Sequence, residues 1–127
     1  MVHRHAILLV EDDDDTREAL TLLIASLGMD VVEAANGRDA LDRLRGGFRP
    51  CFILLDMAMP DMNGADFRRA QVLDPALADI PVAAVSAGGS VSEEEAKQVG
   101  IPLFLRKPLD IDRLVRLLGD HCDVGAS

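Results

Sequence analysis

The chain has 127 residues, 49% hydrophobic and 28% charged, the balance of one globular domain with a core large enough to need no metal or disulfide staple. A net charge of −9, no Trp or Tyr and only four Phe argue against nucleic acid as a partner, because both phosphate attraction and base stacking are missing. Apolar runs such as Ala6 to Val10 are far too short for a spanning helix, and the opening Met-Val-His-Arg-His has no signal-peptide character, so no membrane association is expected.

Ala6-Ile-Leu-Leu-Val10 is continuous rather than alternating, as expected for a parallel strand covered on both faces. Asp15-Thr-Arg-Glu18 reads as a capping box for a helix carrying Leu20, Leu23, Ile24 and Leu27, stopped by Gly28. Asp30 to Ala34 is a second strand, and Arg38 to Arg45 a second helix closed by Gly46-Gly47. The third strand, Cys51 to Leu55, runs into Asp56, and a loop with Pro60 and Gly64 leads to a helix from about Ala65 to Leu73.

Val82 to Val85 is the fourth strand. Gly88-Gly89 opens a loop whose glycines predict mobility, and Ser90-Val-Ser-Glu93 caps a short helix ending at Gly100. Pro102 to Arg106 is the fifth strand. The last helix runs from Asp110 to about Leu118, with Ile111, Leu114, Val115 and Leu118 as its apolar stripe. Five strand–helix alternations predict an α/β, doubly wound five-stranded parallel sheet of flavodoxin-like (βα)5 type, the length suiting the order 2-1-3-4-5. Such a fold places function at the carboxyl ends of its strands.

Those ends carry polar residues. Glu11 to Asp15 follow the first strand and Asp56 the third, and these strands are neighbours in the expected order. Two carboxylates about 4 Å apart repel by about 1 kcal/mol in water and about 4 kcal/mol at an effective dielectric of about 20. A hard divalent cation such as Mg²⁺ would compensate a convergence of Glu11, Asp12 and Asp56. Asp13, Asp14 and Asp15 read as helix-capping and dipole charges. Ser86 follows the fourth strand and Lys107-Pro108 the fifth, in a chain with 11 arginines and two lysines. Acids, a hydroxyl and an ammonium on one rim suit a carboxylate that receives a phosphoryl group.

The sequence resembles the receiver domain of two-component response regulators, of the single-domain, chemotaxis-regulator-like kind. The motifs are Ile7-Leu-Leu-Val-Glu-Asp-Asp13, Leu54-Leu-Asp-Met-Ala-Met-Pro-Asp-Met-Asn-Gly64, Val85-Ser-Ala87 and Leu105-Arg-Lys-Pro108. The likeness implies one receiver domain over 1–127, with a core of about 5–119 and a tail at 120–127. It implies Asp56 as phosphoacceptor from a phosphohistidine of a sensor histidine kinase or histidine phosphotransfer protein. It implies Mg²⁺ bound by Asp12, Asp56 and the backbone carbonyl of Ala58, with Glu11 acting through a metal-bound water. Ser86 and Phe104 become the switch residues, Lys107 pairs with the phosphoryl group, and a cis peptide precedes Pro108.

The resemblance makes the chain a signalling phosphoacceptor that catalyses only its own phosphotransfer and dephosphorylation. Its contact face would be the fourth helix, fifth strand and fifth helix, where Glu94, Arg106 or Arg113 could dock a partner, the chain being a monomer or weak dimer. Phe104 lacks the hydroxyl of the tyrosine common at that place, and Ala58 and Gly88 are small where relatives carry larger groups. A stand-alone receiver, a module excised from a hybrid kinase or larger regulator, and a phosphorylation-independent interaction domain are the alternatives. Survival of Glu11, Asp12, Asp56, Ser86 and Lys107 argues against the last. An aspartyl-phosphate phosphatase of the haloacid dehalogenase type would need an acid where Ala58 stands.

The remaining residues receive plainer readings. Cys51 and Cys122 lie far apart in sequence with no paired spacing, which suggests a reduced, cytoplasmic setting and Cys51 as a small core residue. His3 and His5 read as exposed terminal histidines rather than metal ligands. His121 suits the dipole at a helix end. Met57, Met59 and Met62 read as loop packing.

Overall fold

The structure, a computed structural model, describes residues 3–59, 62–86 and 90–122, the side chains of 3–5 and 90–92 excepted. The expectations for the side chains of His3 and His5, for Pro60, Gly88-Gly89, the Ser90 and Ser92 caps and the tail beyond residue 122 lie outside the described groups.

Strands β1 (His3–Val10), β2 (Asp30–Ala34), β3 (Pro50–Asp56), β4 (Val82–Ser86) and β5 (Leu103–Arg106) alternate with helices α1 (Asp14–Ala25), α2 (Gly37–Arg45), α3 (Gly64–Leu73), α4 (Ser90–Gln98) and α5 (Ile111–His121). The strands form one parallel sheet in the order β2-β1-β3-β4-β5, as the alternation predicts.

The continuous apolar runs are explained by the two-residue period of a strand. Leu8, Val10, Ile53, Leu55, Val82 and Ala84 point to one face and pack under Leu41 and Leu44 of α2, Phe67 of α3 and Ala96 of α4. Ile7, Leu9, Phe52, Leu54, Ala83 and Val85 point to the other, beneath Ile24 of α1 and Leu114 and Leu118 of α5. Burial on both faces removes the polar alternation of a half-exposed sheet.

Four expectations change. Helix α1 starts before the expected capping box, because Asp13 accepts the Thr16 backbone N–H at 2.9 Å and its hydroxyl at 2.6 Å. Ile111 is 50% exposed, sitting in the first turn of α5 beyond the sheet's cover, so it is not part of the buried stripe. Helix α5 also continues to His121, and Cys122 behind it is buried, so 120–122 are not a tail.

The fourth change is chemical. Cys51 is not a lone core residue; it is disulfide-bonded to Cys122, the Cα atoms 5.5 Å apart. The added turn of α5 carries Cys122 back over the start of β3, a meeting that linear spacing could not reveal. Paired in this way, the two cysteines no longer point to a reduced compartment. His121 also does more than face a dipole, since its ring stacks on Phe52 at a centroid distance of 5.1 Å.

Candidate functional site

Strand register assembles the site. Val10 lies opposite Leu55 and Asp56 opposite Val85, so the residue leaving β1 and the last residue of β3 emerge side by side. Ser86 lies opposite Arg106, which sets Lys107 just past the end of β5 on the same rim. Glu11, Asp12 and Asp56 each present a carboxylate oxygen within 4.8 Å of the others, a group able to hold a metal ion. Glu11, Asp56 and Ser86 are buried, whereas Asp12 faces solvent more openly.

Each acid is held by specific donors. The Ala58 N–H donates to Asp56 Oδ1 at 3.1 Å. The Asp13 N–H donates to Glu11 Oε2 at 3.2 Å, and the Arg17 guanidinium to the Glu11 backbone carbonyl at 2.8 Å. Lys107 Nζ is 2.6 Å from Glu11 Oε1 and 3.9 Å from Asp56 Oδ2. The Lys107 N–H donates to the Ser86 carbonyl at 2.8 Å, and the Lys107-Pro108 peptide is cis.

Burial, then the bond to Glu11, pushes the Asp56 carboxyl up from its ordinary 3.8 to about 7, against the opposing pull of the Ala58 N–H and the Lys107 charge. Burial also pushes the Glu11 carboxyl up, but the bonds from Lys107, Asp56 and the Asp13 N–H together outweigh it and leave Glu11 below its ordinary range. Without a cation, Glu11 therefore carries the charge, and Asp56 keeps its proton only below about pH 7. Burial lowers the Lys107 amine, yet the bond to Glu11 and the charges of Asp56, Glu11 and Asp12 leave it raised and ionised.

Phe104 is half-buried against the core and lines a cleft of about 490 Å³ with Glu93, Lys97, Arg106 and Arg113. Within it Arg106 pairs with Glu93 at 2.8 Å. Arg17 is the residue that sequence reasoning missed. Its one signal was an arginine one turn into the helix behind an acid run, where it also pairs with Asp14.

The model of the response regulator receiver domain matches residues 7–119. The chain belongs to the response regulator receiver family. These are signalling phosphoacceptor domains of two-component systems, not classical enzymes. The receiver is 30% identical to the polar-differentiation response regulator DivK of Brucella anthropi, over 91% of this chain and 94% of that protein. It is 34% identical to a segment of the hybrid signal transduction protein dokA of Dictyostelium discoideum, covering 90% of this chain and 7% of that one. Among solved structures it is similar to the Vibrio cholerae chemotaxis protein CheY4, with a TM-score of 0.82 and 26% identity over 94% of this chain and 99% of that one. Among the described residues, no helix is long and apolar enough to cross a membrane.

Proposed function

We propose that this receiver is a Mg²⁺-dependent cytoplasmic switch that takes a phosphoryl group onto Asp56 from the phosphohistidine of a sensor histidine kinase or a histidine phosphotransfer protein. The observation that carries the reading is Asp56 itself: a buried carboxylate at a strand end, beside two more acids and within reach of an ammonium. The residues fit the ion by their chemistry, since the three clustered carboxylate oxygens of Glu11, Asp12 and Asp56 are hard donors that repel one another unless a hard cation joins them. Asp12, Asp56 and the Ala58 carbonyl would hold it, with Glu11 acting through a bound water. When bound, Mg²⁺ supplies charge neutralisation for the phosphoryl oxygens.

An ionised Asp56 oxygen attacks phosphorus as the P–N bond to the donor imidazole breaks, and the electron pair stays on that nitrogen, which takes up a proton. The Ala58 N–H holds the other carboxylate oxygen and so aims the attack. Lys107 turns from Glu11 toward the new phosphoryl group, and Ser86 donates to it. Phe104 follows inward, changing the face of α4, β5 and α5 that a downstream protein reads. That face presents side chains of both signs, Glu93 and Arg106 among them, which suits a protein partner.

The test is intact mass after incubation with Mg²⁺ and acetyl phosphate. One phosphoryl adduct is expected, absent in Asp56→Asn and weakened in Asp12→Ala. An adduct that persists in Asp56→Asn would overturn the assignment.

A further inference from the structure

We propose that Cys51–Cys122 is a thiol–disulfide exchange site, at which a dithiol reductant frees the last turn of α5 from the acceptor strand. The bridge is not needed to make a core: helices already close both faces of the sheet, and a chain of this size folds without staples. In a reducing compartment a disulfide that does form is usually transient and redox-sensing. This setting comes from the reading above, as does the meaning of a moved α5; the exchange chemistry needs neither.

The bridge joins two functional parts of the fold. Cys51 lies on β3, the strand that ends in Asp56, and Cys122 caps α5, whose Arg113 borders the Phe104 cleft. Its loop spans a sequence separation of 71 and encloses Asp56, Ser86, Phe104 and Lys107. Beside the bridge, the end of α5 is held by the buried Leu118 and by the stacking of His121 on Phe52.

Access is one-sided. Both cysteines are at most 5% exposed, but Cys51 lines an open cleft of about 290 Å³ with Arg49, Pro50, Ile80, Pro81 and His121. A reductant thiolate entering there attacks Cys51 Sγ. The S–S bond breaks, and Cys122 leaves as a thiolate that takes a proton from solvent. The second reductant thiolate then attacks its partner sulfur in the mixed disulfide, and Cys51 leaves and is protonated. Two electrons and two protons pass from the dithiol to the cysteine pair, and the reductant ends as a disulfide.

The experiment uses the whole chain, purified without reductant and incubated in native buffer with dithiothreitol, then iodoacetamide. Intact mass should show two alkylated cysteines, and amide exchange over 116–122 should quicken on the order of ten-fold while β1 stays protected. The double variant Cys51→Ser/Cys122→Ser should match the reduced chain; where that variant fails to fold, the reduced native chain carries the comparison. Three outcomes each overturn the proposal: free thiols before reduction, alkylation only in denaturant, or alkylation with unchanged exchange in α5. Loss of the acetyl phosphate adduct at Asp56 would sink the receiver mechanism and leave these readouts untouched.

Discussion

Lys107 is engaged with Glu11 before any phosphoryl group arrives, its Nζ 2.6 Å from Glu11 Oε1 against 3.9 Å from Asp56 Oδ2. The family resemblance placed this amine on the phosphoryl group. In the resting chain it neutralises instead the neighbour that most strongly opposes ionisation of Asp56. In the proposed mechanism, moving it toward a phosphoryl group would break this charge-assisted bond and so couple phosphorylation to the loop after β5.

Removing that amine should cost stability. In Lys107→Ala the buried Glu11 carboxylate loses its cation, and Lys107 itself is 24% exposed, which lowers the penalty below that of a fully buried pair. We expect a loss of about 1–3 kcal/mol in urea unfolding near neutral pH without divalent ions. The variant should still form the acetyl phosphate adduct, but amide exchange in α4 and α5 should no longer respond to it. An unchanged response would remove Lys107 from the switch.

The pH dependence has an unusual sign. Between the ordinary 3.8 and about 7 the folded chain keeps the Asp56 proton that the unfolded chain has released. Metal-free stability should therefore fall as pH rises through that window and level off above it. Glu11, held below its ordinary 4.5, adds the opposite trend only at lower pH, where its stabilisation is lost as pH falls. Thermal scans should show the midpoint dropping from about pH 5 to about pH 7, and Asp56→Asn should lose that slope. The same proton competes with Mg²⁺, so affinity should climb by up to about ten-fold per pH unit before flattening near pH 7. A flat profile in both measurements would mean Asp56 is already ionised.

Two glycines provide a paired test of packing around Asp56. A Cβ on Gly64 would meet the Met57 Cα at 2.7 Å and the Asp56 carbonyl oxygen at 2.9 Å, so the backbone directly after Asp56 must move. Gly64→Ala should destabilise by about 1–3 kcal/mol and slow phosphorylation by acetyl phosphate. On Gly119, inside α5, a Cβ meets nothing within 4 Å. Gly119→Ala should instead stabilise by about 0.5–1 kcal/mol, with the phosphorylation rate unchanged.

The disulfide should show in equilibrium stability too. For a bridge across a separation of 71, chain entropy predicts that Cys51→Ser/Cys122→Ser loses about 4 kcal/mol. Urea midpoints of the oxidised chain and the variant measure it. Equal midpoints would show that the bridge constrains nothing the core does not already hold.

Periodicity and turn chemistry are local properties, so the chain by itself specified nearly all of the fold. Doubly covered strands left unbroken apolar runs at Ala6–Val10 and Cys51–Leu55, and Gly28, Gly46 and Gly100 marked helix ends to within a few residues. The acids and Lys107 were legible for a related reason: polar side chains placed where an apolar strand stops stand out against their neighbours. Asp13, by contrast, took the cap expected two residues later, because several adjacent aspartates could each do so and only backbone geometry selects one.

Pairings between distant segments were decided by tertiary structure. Nothing local tells Lys107 to choose Glu11 over Asp56, places Arg17 beneath the Glu11 carbonyl, or turns Arg106 to Glu93. Cys51 and Cys122 are the sharpest case, since their union depends on one added turn of α5 and on where that helix crosses β3. Sequence patterns record what each segment buries, whereas the partner each side chain meets is set by how the packed segments cross, and that geometry exists only once the whole sheet has formed.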